Sequence, residues 1–338
     1  MKEFLRILQN RQTLSENQML EAMTKIMDGN VSEIEIASFL TGLAERGETA
    51  EEITGAARVL RAKAKTIKAP ADTVDCCGTG GDGTGTYNIS TAVALVSAAC
   101  GVPVAKHGNR AASSKSGAAD VLEQLGVNLT MPTDALELAL KEINFAFLMA
   151  PNHHSAMKHV APIRKKLGVK TIFNLLGPLS NPAGTKLQLV GVYDKKWLLP
   201  VANALKKLGS ERAWVVHGSD GLDEITTTGP TFVAILDDGK ITEREITPDE
   251  FGLIPVKPEA LRGGDAVENA KALRQLLNGE KSAYRDIVVA NTAAVLCIHG
   301  SAATLLEGAE KAAAAIDHGH AEKTLNDYIK FSLQFGET

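Results

Sequence analysis

From residue 70 onward, short apolar runs of strand character alternate with longer runs of helical spacing, and this alternation constrains the fold more than any other feature. The strand-like runs cover 102–104, 145–149, 187–192 and 213–216, and the helix-like runs cover 91–99, 118–125, 133–143 and 197–208. Such alternation predicts an α/β unit with a mostly parallel central sheet covered by helices. Asp237-Asp238-Gly239, between strand-like runs 232–236 and 241–246, predicts a hairpin and a local antiparallel excursion. From Asp265 the chain reads as helical and alanine-rich again, with helix starts at Asp265 and Ser301.

The first 65 residues lack that alternation. Three capping boxes mark helix starts, Ser15 with Gln18, Ser32 with Glu35, and Thr49 with Glu52. Gly29 and Gly47 stand where helices end, and Met19, Met23 and Met27 recur at helical spacing as core residues. At 338 residues the chain exceeds what one compact core organises. Two units are therefore expected, a small helical one over 1–68 and a large α/β one over 69–338.

Several function classes are disfavoured. A net charge of -4 gives no footprint for a nucleic-acid partner. No apolar run is long enough to span a bilayer, and the first residues lack the apolar core of a signal peptide, so a cytoplasmic protein is expected. The four cysteines, Cys76, Cys77, Cys100 and Cys297, form no CxxC pair and no zinc spacing, and read as reduced, mostly buried thiols.

The segment from Gly78 to Thr86 holds five glycines in nine residues. That density allows positive φ and lets backbone N–H groups approach an anion closely. Ser90 or Thr91 is placed to open the following helix, whose N-terminus favours phosphate. Asp82 suits a ribose hydroxyl or a metal-bound water. The loop is not a Walker A motif, because no Gly-Lys-Ser/Thr ends it. A second loop, Lys106-His107-Gly108-Asn109-Arg110 followed by Ser113, Ser114, Lys115 and Ser116, gathers cations and hydroxyls after a predicted strand. Open α/β sheets bind ligands at such strand ends. Asp223 and Glu224, on the loop after run 213–216, are adjacent hard oxygen donors suited to magnesium held jointly with phosphates.

These motifs, with Asn88-Ile89-Ser90-Thr91 and Asn174-Leu175-Leu176-Gly177-Pro178, resemble the signature set of the anthranilate phosphoribosyltransferase family in order and interval. The match runs over nearly the whole chain. The resemblance implies a small all-α domain, joined by part of 163–185, packed on a large α/β domain in the manner of pyrimidine nucleoside phosphorylases. It implies transfer of the phosphoribosyl group of 5-phosphoribosyl 1-diphosphate to anthranilate, with release of diphosphate, in tryptophan biosynthesis. It implies Mg2+ as cofactor and a homodimer formed through the helical domain. It places Gly78, Gly81, Asp82, Thr86, Asn88, Ile89, Ser90, Thr91, Lys106, His107, Gly108, Asn109, Arg110, Ser113 and Ser114 around the sugar diphosphate. It assigns Ser90, Asp223 and Glu224 to the metal. Gly78, His107, Asn109, His154, Arg164 and Pro178 go to the anthranilate side, and Lys106, Asn109 and Arg164 to catalysis. One departure is Ala118, where some relatives carry Ser, so no hydroxyl contact is expected there. The alternatives are a nucleoside phosphorylase of the same fold and a non-catalytic relative that binds sugar phosphate or nucleic acid.

Overall fold

The computed structural model describes residues 1–111 and 115–335. Its centre is a seven-stranded sheet: β1 (Val74–Gly78), β2 (Val104–Gly108), β3 (Phe145–Met149), β4 (Leu187–Gly191), β5 (Arg212–Gly218), β6 (Thr231–Asp237) and β7 (Lys240–Ile246). The order is β3-β2-β1-β4-β5-β6-β7. The first five strands in that order pair in parallel, and β6 and β7 add antiparallel pairs at one edge. Asp238 and Gly239 turn the β6–β7 hairpin with φ of 44° and 72°, the double positive φ of a two-residue hairpin turn.

The sequence predicts neither β1 nor the true position of β2. β1 is five residues long and runs straight into the glycine cluster, so its apolar content is only Val74, Cys76 and Cys77. β2 begins at Val104 and extends through Lys106 and His107, two residues that read as loop. Parallel strands covered on both faces are buried whatever their polarity, and Lys106 is 1% exposed.

The sheet's two faces feed two cores. On one face lie helices Ile89–Ala99, Ala283–His299 and His320–Leu333, packed with Leu187, Leu189 and Val216. On the other, Val190, Val192, Ala213 and Val215 meet helix Leu198–Lys207 and the N-terminal helices. The alternation along β4 and β5 is the period-two geometry of a strand covered on both sides.

The N-terminal helices are Lys2–Gln9, Glu16–Met27, Glu33–Arg46 and Ala50–Lys63. All three capping boxes form, with Ser15, Ser32 and Thr49 as N-caps. Glu52 reaches beyond its box. It also accepts from the Leu14 N–H at 2.8 Å and pairs with Arg46 at 2.6 Å. Val160, Ile163, Ile172, Phe173, Leu175, Leu176 and Leu179 share the core of these helices, so the segment after β3 packs with the N-terminus.

Two helix starts move. Asp265 caps helix Ala266–Leu277 as expected, but Thr304, not Ser301, caps helix Leu305–Asp317, because its side chain accepts from the Glu307 N–H. The helix after the glycine loop opens with Asn88 as N-cap, ahead of Ser90 and Thr91, and no side chain caps it. Of the cysteines, Cys76 is buried and the other three are half-buried, a less complete burial than expected. Among the described residues, no helix is long and apolar enough to cross a membrane.

Candidate active site

The strand order reverses direction between β1 and β4, since the chain first adds β2 and β3 on one side and then β4 and β5 on the other. Ligands of open α/β sheets bind outside the C-terminal ends of the strands at such a switch point. A cavity of about 1040 Å³ opens there. It has room for two ligands of ordinary size.

The glycine-rich loop leaves β1 at this point. Gly80, Gly81, Gly83 and Gly85 have φ between 66° and 77°, a region costly to residues with a Cβ. Gly78 is required for another reason. A Cβ there would lie 2.1 Å from Asp223 Oδ2, so the loop and the acid pack where only a hydrogen fits. The Gly80 N–H donates to the same Oδ2 at 2.6 Å, and the Thr79 N–H donates to the carbonyl of Gly191 at the end of β4 at 2.9 Å. Gly78→Ala should therefore cost about 1–3 kcal/mol of stability, the usual range for overpacking. Chemical denaturation would check this, and an unchanged midpoint would show that Asp223 can move aside freely.

Lys106 and His107, adjacent on β2, point to opposite faces and so serve opposite halves of the cavity. Lys106 Nζ donates to the Cys76 carbonyl at 3.0 Å and to Ser90 Oγ at 3.1 Å, on the side of helix Ile89–Ala99. His107 turns toward helix Phe173–Leu179, where its Nδ1 donates to the Gly177 carbonyl at 3.0 Å. Its backbone N–H donates to the buried Asp75 carboxylate at 3.2 Å. His107 Nε2 is left buried without a partner, and so is His154 Nε2, whose ring lies 5.2 Å from that of His107.

Burial is the main cause of both histidines' weak basicity, reinforced at His107 by His154 and at His154 by His153. His107 is lowered to about 3 and His154 to about 4. Both are neutral at pH 7. An unfolded histidine takes up its proton near pH 6.5. The folded state then binds fewer protons, so this contribution to stability is complete above about pH 6.5 and is lost as the pH falls toward 4. The melting temperature should therefore fall less steeply between pH 7 and 4.5 in a His107→Asn, His154→Gln double variant than in the wild type. Parallel curves would show that neither ring is held neutral by the fold.

Asp223 and Glu224 sit beneath the loop. Burial, followed by the nearby Asp82 charge, pushes Asp223 up to about 7, and the Gly80 N–H only partly offsets this. Glu224 is raised further, by burial and then by Asp223, with Lys106 and the Ser90 N–H acting against the rise. Two crowded carboxylates beside a hydroxyl form an incompletely neutralised hard-oxygen set, which is the chemistry a magnesium ion satisfies. Among the described residues, no group of three or more His, Cys, Asp and Glu side chains is arranged as a metal site. The remaining donors to any ion here would come from a ligand and water. Burial pushes the Cys76 thiol up to about 12 and raises Cys77 as well, so neither is a thiolate nucleophile at neutral pH.

The far wall comes from the segment after β3. Arg164, on helix Ala161–Leu167, is half-buried, and burial lowers its basicity. Its Cζ lies 5.3 Å from the centre of the Phe173 ring. His154, Phe173, Asn174 and Pro178 complete this wall.

Sequence comparison agrees with this architecture. The helical bundle domain of the glycosyl transferase family matches residues 2–64, and the a/b domain of that family matches residues 70–322. The anthranilate phosphoribosyltransferase of Azospirillum brasilense is 56% identical over 332 residues, which span 98% of this chain and 93% of that protein. The chain belongs to the anthranilate phosphoribosyltransferase family. The crystal structure of the family member from Thermus thermophilus superposes with a TM-score of 0.92 at 43% identity, covering 98% of this chain and 99% of that one. The Saccharomyces cerevisiae member, solved in complex with PRPP and Mg, superposes with a TM-score of 0.90 at 29% identity, covering 98% and 97%.

Against the family's residue set, the structure brings Gly78, Gly81, Asp82, Thr86, Ser90, Lys106, His107, Gly108, Asn109, Arg110, His154, Arg164 and Pro178 onto one cavity. Asp223 and Glu224 lie behind the loop and are not among its walls. The side chains of Asn88, Ile89 and Thr91 do not reach the cavity either. Asn88 binds the Ser116 carbonyl at 3.3 Å and Asn269 Nδ2 at 2.8 Å, while Ile89 and Thr91 are core residues. An α-helix turns about 100° per residue, so Ser90 faces the cavity while its two neighbours cannot. Ser113 and Ser114 lie outside the described residues. Asn174, from the Asn174–Pro178 motif, and Met157 also line the cavity, and the sequence reading left out Arg262, Gly263 and Gly264 on the same wall. The glycine pair just before the cap residue Asp265 was the available signal for the last three.

Proposed function

We propose that this chain transfers the phosphoribosyl group of 5-phosphoribosyl 1-diphosphate to the amine of anthranilate, giving N-(5-phosphoribosyl)anthranilate and diphosphate. The observation that carries this reading is the division of one cavity by β2. Lys106 and Ser90 line an anion side, with Asp223 and Glu224 behind the glycine loop, while His107 faces the apolar and cationic side with Arg164 and Pro178. The name shared by relatives above half identity supports it, and so does the yeast member's complex with PRPP and Mg.

In this reaction the amine lone pair forms the new N–C1 bond as the C1–O bond to diphosphate breaks, and its electron pair leaves on the diphosphate oxygen. Charge builds on the leaving group and C1 becomes oxocarbenium-like, as in glycoside cleavage. The backbone N–H groups of the glycine loop and the Lys106 ammonium would neutralise that charge without reorganising. Asp223, Glu224 and Ser90 would hold Mg2+, which supplies further charge neutralisation at the diphosphate oxygens when bound. Arg164 would grip the anthranilate carboxylate and aim the amine at C1. An arylamine is already unprotonated at neutral pH, so no side-chain base is assigned. The surplus N–H proton leaves to solvent or to the departing diphosphate.

On this reading the chain works as a helical unit of 1–68 with part of 163–185, facing a larger unit that holds the sugar diphosphate. The decisive experiment is anthranilate fluorescence in the presence of 5-phosphoribosyl 1-diphosphate and magnesium. A decrease that needs all three components is expected. No decrease with folded protein would overturn the proposal.

A further inference from the structure

We propose that Arg262 is a further substrate-binding residue, which grips a phosphate of the donor substrate from the side opposite the sheet. The inference rests on the phosphoribosyl diphosphate reading of the cavity. Its first support is placement. Leu261 and Arg262 lie about 180 residues beyond the glycine loop in sequence, yet Arg262 forms an antiparallel bridge with Thr86 and lines the cavity. The Tyr87 N–H donates to the Leu261 carbonyl at 3.2 Å, and the Gly263 N–H donates to the Gly85 carbonyl at 2.9 Å. The strap is thus bonded to the anion loop on both sides of Arg262.

The second support is how firmly the strap is held. A Cβ on Gly263 would lie 2.6 Å from the Thr86 carbonyl oxygen and 2.8 Å from Asn269 Oδ1. Asn269 Oδ1 accepts the Gly264 N–H at 2.8 Å, while its Nδ2 donates to Asn88 Oδ1 at 2.8 Å. One buried amide therefore joins the strap to the N-cap of the helix behind the loop. Tyr87 stacks on Tyr284 at 4.4 Å, which fixes the loop from below. The backbone that carries Arg262 is thus held in place beside the loop.

The third support is charge. Two of the other cations of the anion side already have protein partners. Lys106 is occupied by Cys76 and Ser90, and Arg110 is paired with Asp120 and Glu123 at 3.1 and 2.8 Å. Arg262 is exposed and forms no hydrogen bond, ion pair or ring contact through its side chain among the described residues. A planar guanidinium free at the rim of an anion loop suits bidentate phosphate recognition.

The test uses Arg262→Gln and Arg262→Lys in the full chain, since the strap is held by backbone bonds that neither substitution removes. Arg262→Gln should raise the KM for 5-phosphoribosyl 1-diphosphate about five- to thirtyfold, the worth of one partly screened charge-assisted hydrogen bond. The KM for anthranilate and the melting temperature should not change, and Arg262→Lys should fall between. Calorimetric titration with ribose 5-phosphate and, separately, with inorganic diphosphate shows which phosphate is held, because only that ligand weakens in the variant. Equal affinity of wild type and Arg262→Gln for both ligands would overturn the inference. These titrations need binding alone, so a wild type without turnover would overturn the transferase reading and leave the Arg262 result legible.

Discussion

Asp223→Asn should lower kcat/KM by at least about a hundredfold, in line with the loss of a metal ligand or a preorganised charge, while leaving the fold as stable as before or more so. The reason lies in the sign of the Asp223 shift. Its folded-state value is raised to about 7, chiefly by burial and then by Asp82. The folded protein therefore binds this proton more tightly than the unfolded chain does. The associated stability is complete below the ordinary aspartate range and is lost as the pH rises through about 7. At pH 8 without magnesium the ionised side chain is a liability, and an amide relieves the repulsion with Glu224 and Asp82. The amide oxygen can still accept the Gly80 N–H that now meets Oδ2 at 2.6 Å. Thermal melts at pH 8 should show Asp223→Asn melting at or above the wild type without metal. Magnesium with diphosphate should raise the melting temperature of the wild type only. Parallel losses of activity and melting temperature would show instead that Asp223 is a structural residue.

Arg164→Ala should raise the KM for anthranilate by a factor on the order of ten to a few hundred, with a smaller change in kcat. A charge-assisted hydrogen bond in a partly desolvated site is worth that much. Arg164 stands on a short helix whose one buried residue is Ile163, and it lies over the Phe173 ring. Removing it should leave the helix and its core contact in place. An acceptor without a carboxylate, such as aniline, gives the discriminating control. It should react no worse with the variant than with the wild type, because it never used the guanidinium. If Arg164→Ala weakens both acceptors alike, Arg164 shapes the wall and does not grip the carboxylate. An unchanged KM for anthranilate would remove it from the acceptor side altogether.

Much of the fold was legible in the sequence because its signals are local. A capping box is written within four residues, and all three at the N-terminus form. The Asp238-Gly239 turn and the Asp265 cap are equally local. β1 is not legible in the sequence because five residues ending in a glycine cluster carry too little apolar signal. The sequence places β2 too early because Lys106 and His107 look like loop residues, and only burial between two layers makes them strand.

The site divides in the same way. The glycine-rich segment, the basic segment and the Asp223-Glu224 pair stand out as motifs, since each concentrates unusual residue types over a few positions. Sequence alone determined the helical and α/β units and the family. The tertiary structure decided that β2 sends Lys106 to one half of the cavity and His107 to the other. It also decided that Asp223 occupies the space a Gly78 side chain would need, and that the strap at Arg262 closes over a loop far earlier in the chain. The physical reason is that propensity, capping and turn geometry act between near neighbours in the chain, whereas burial, charge crowding and close packing are set by residues that only the folded sheet brings together.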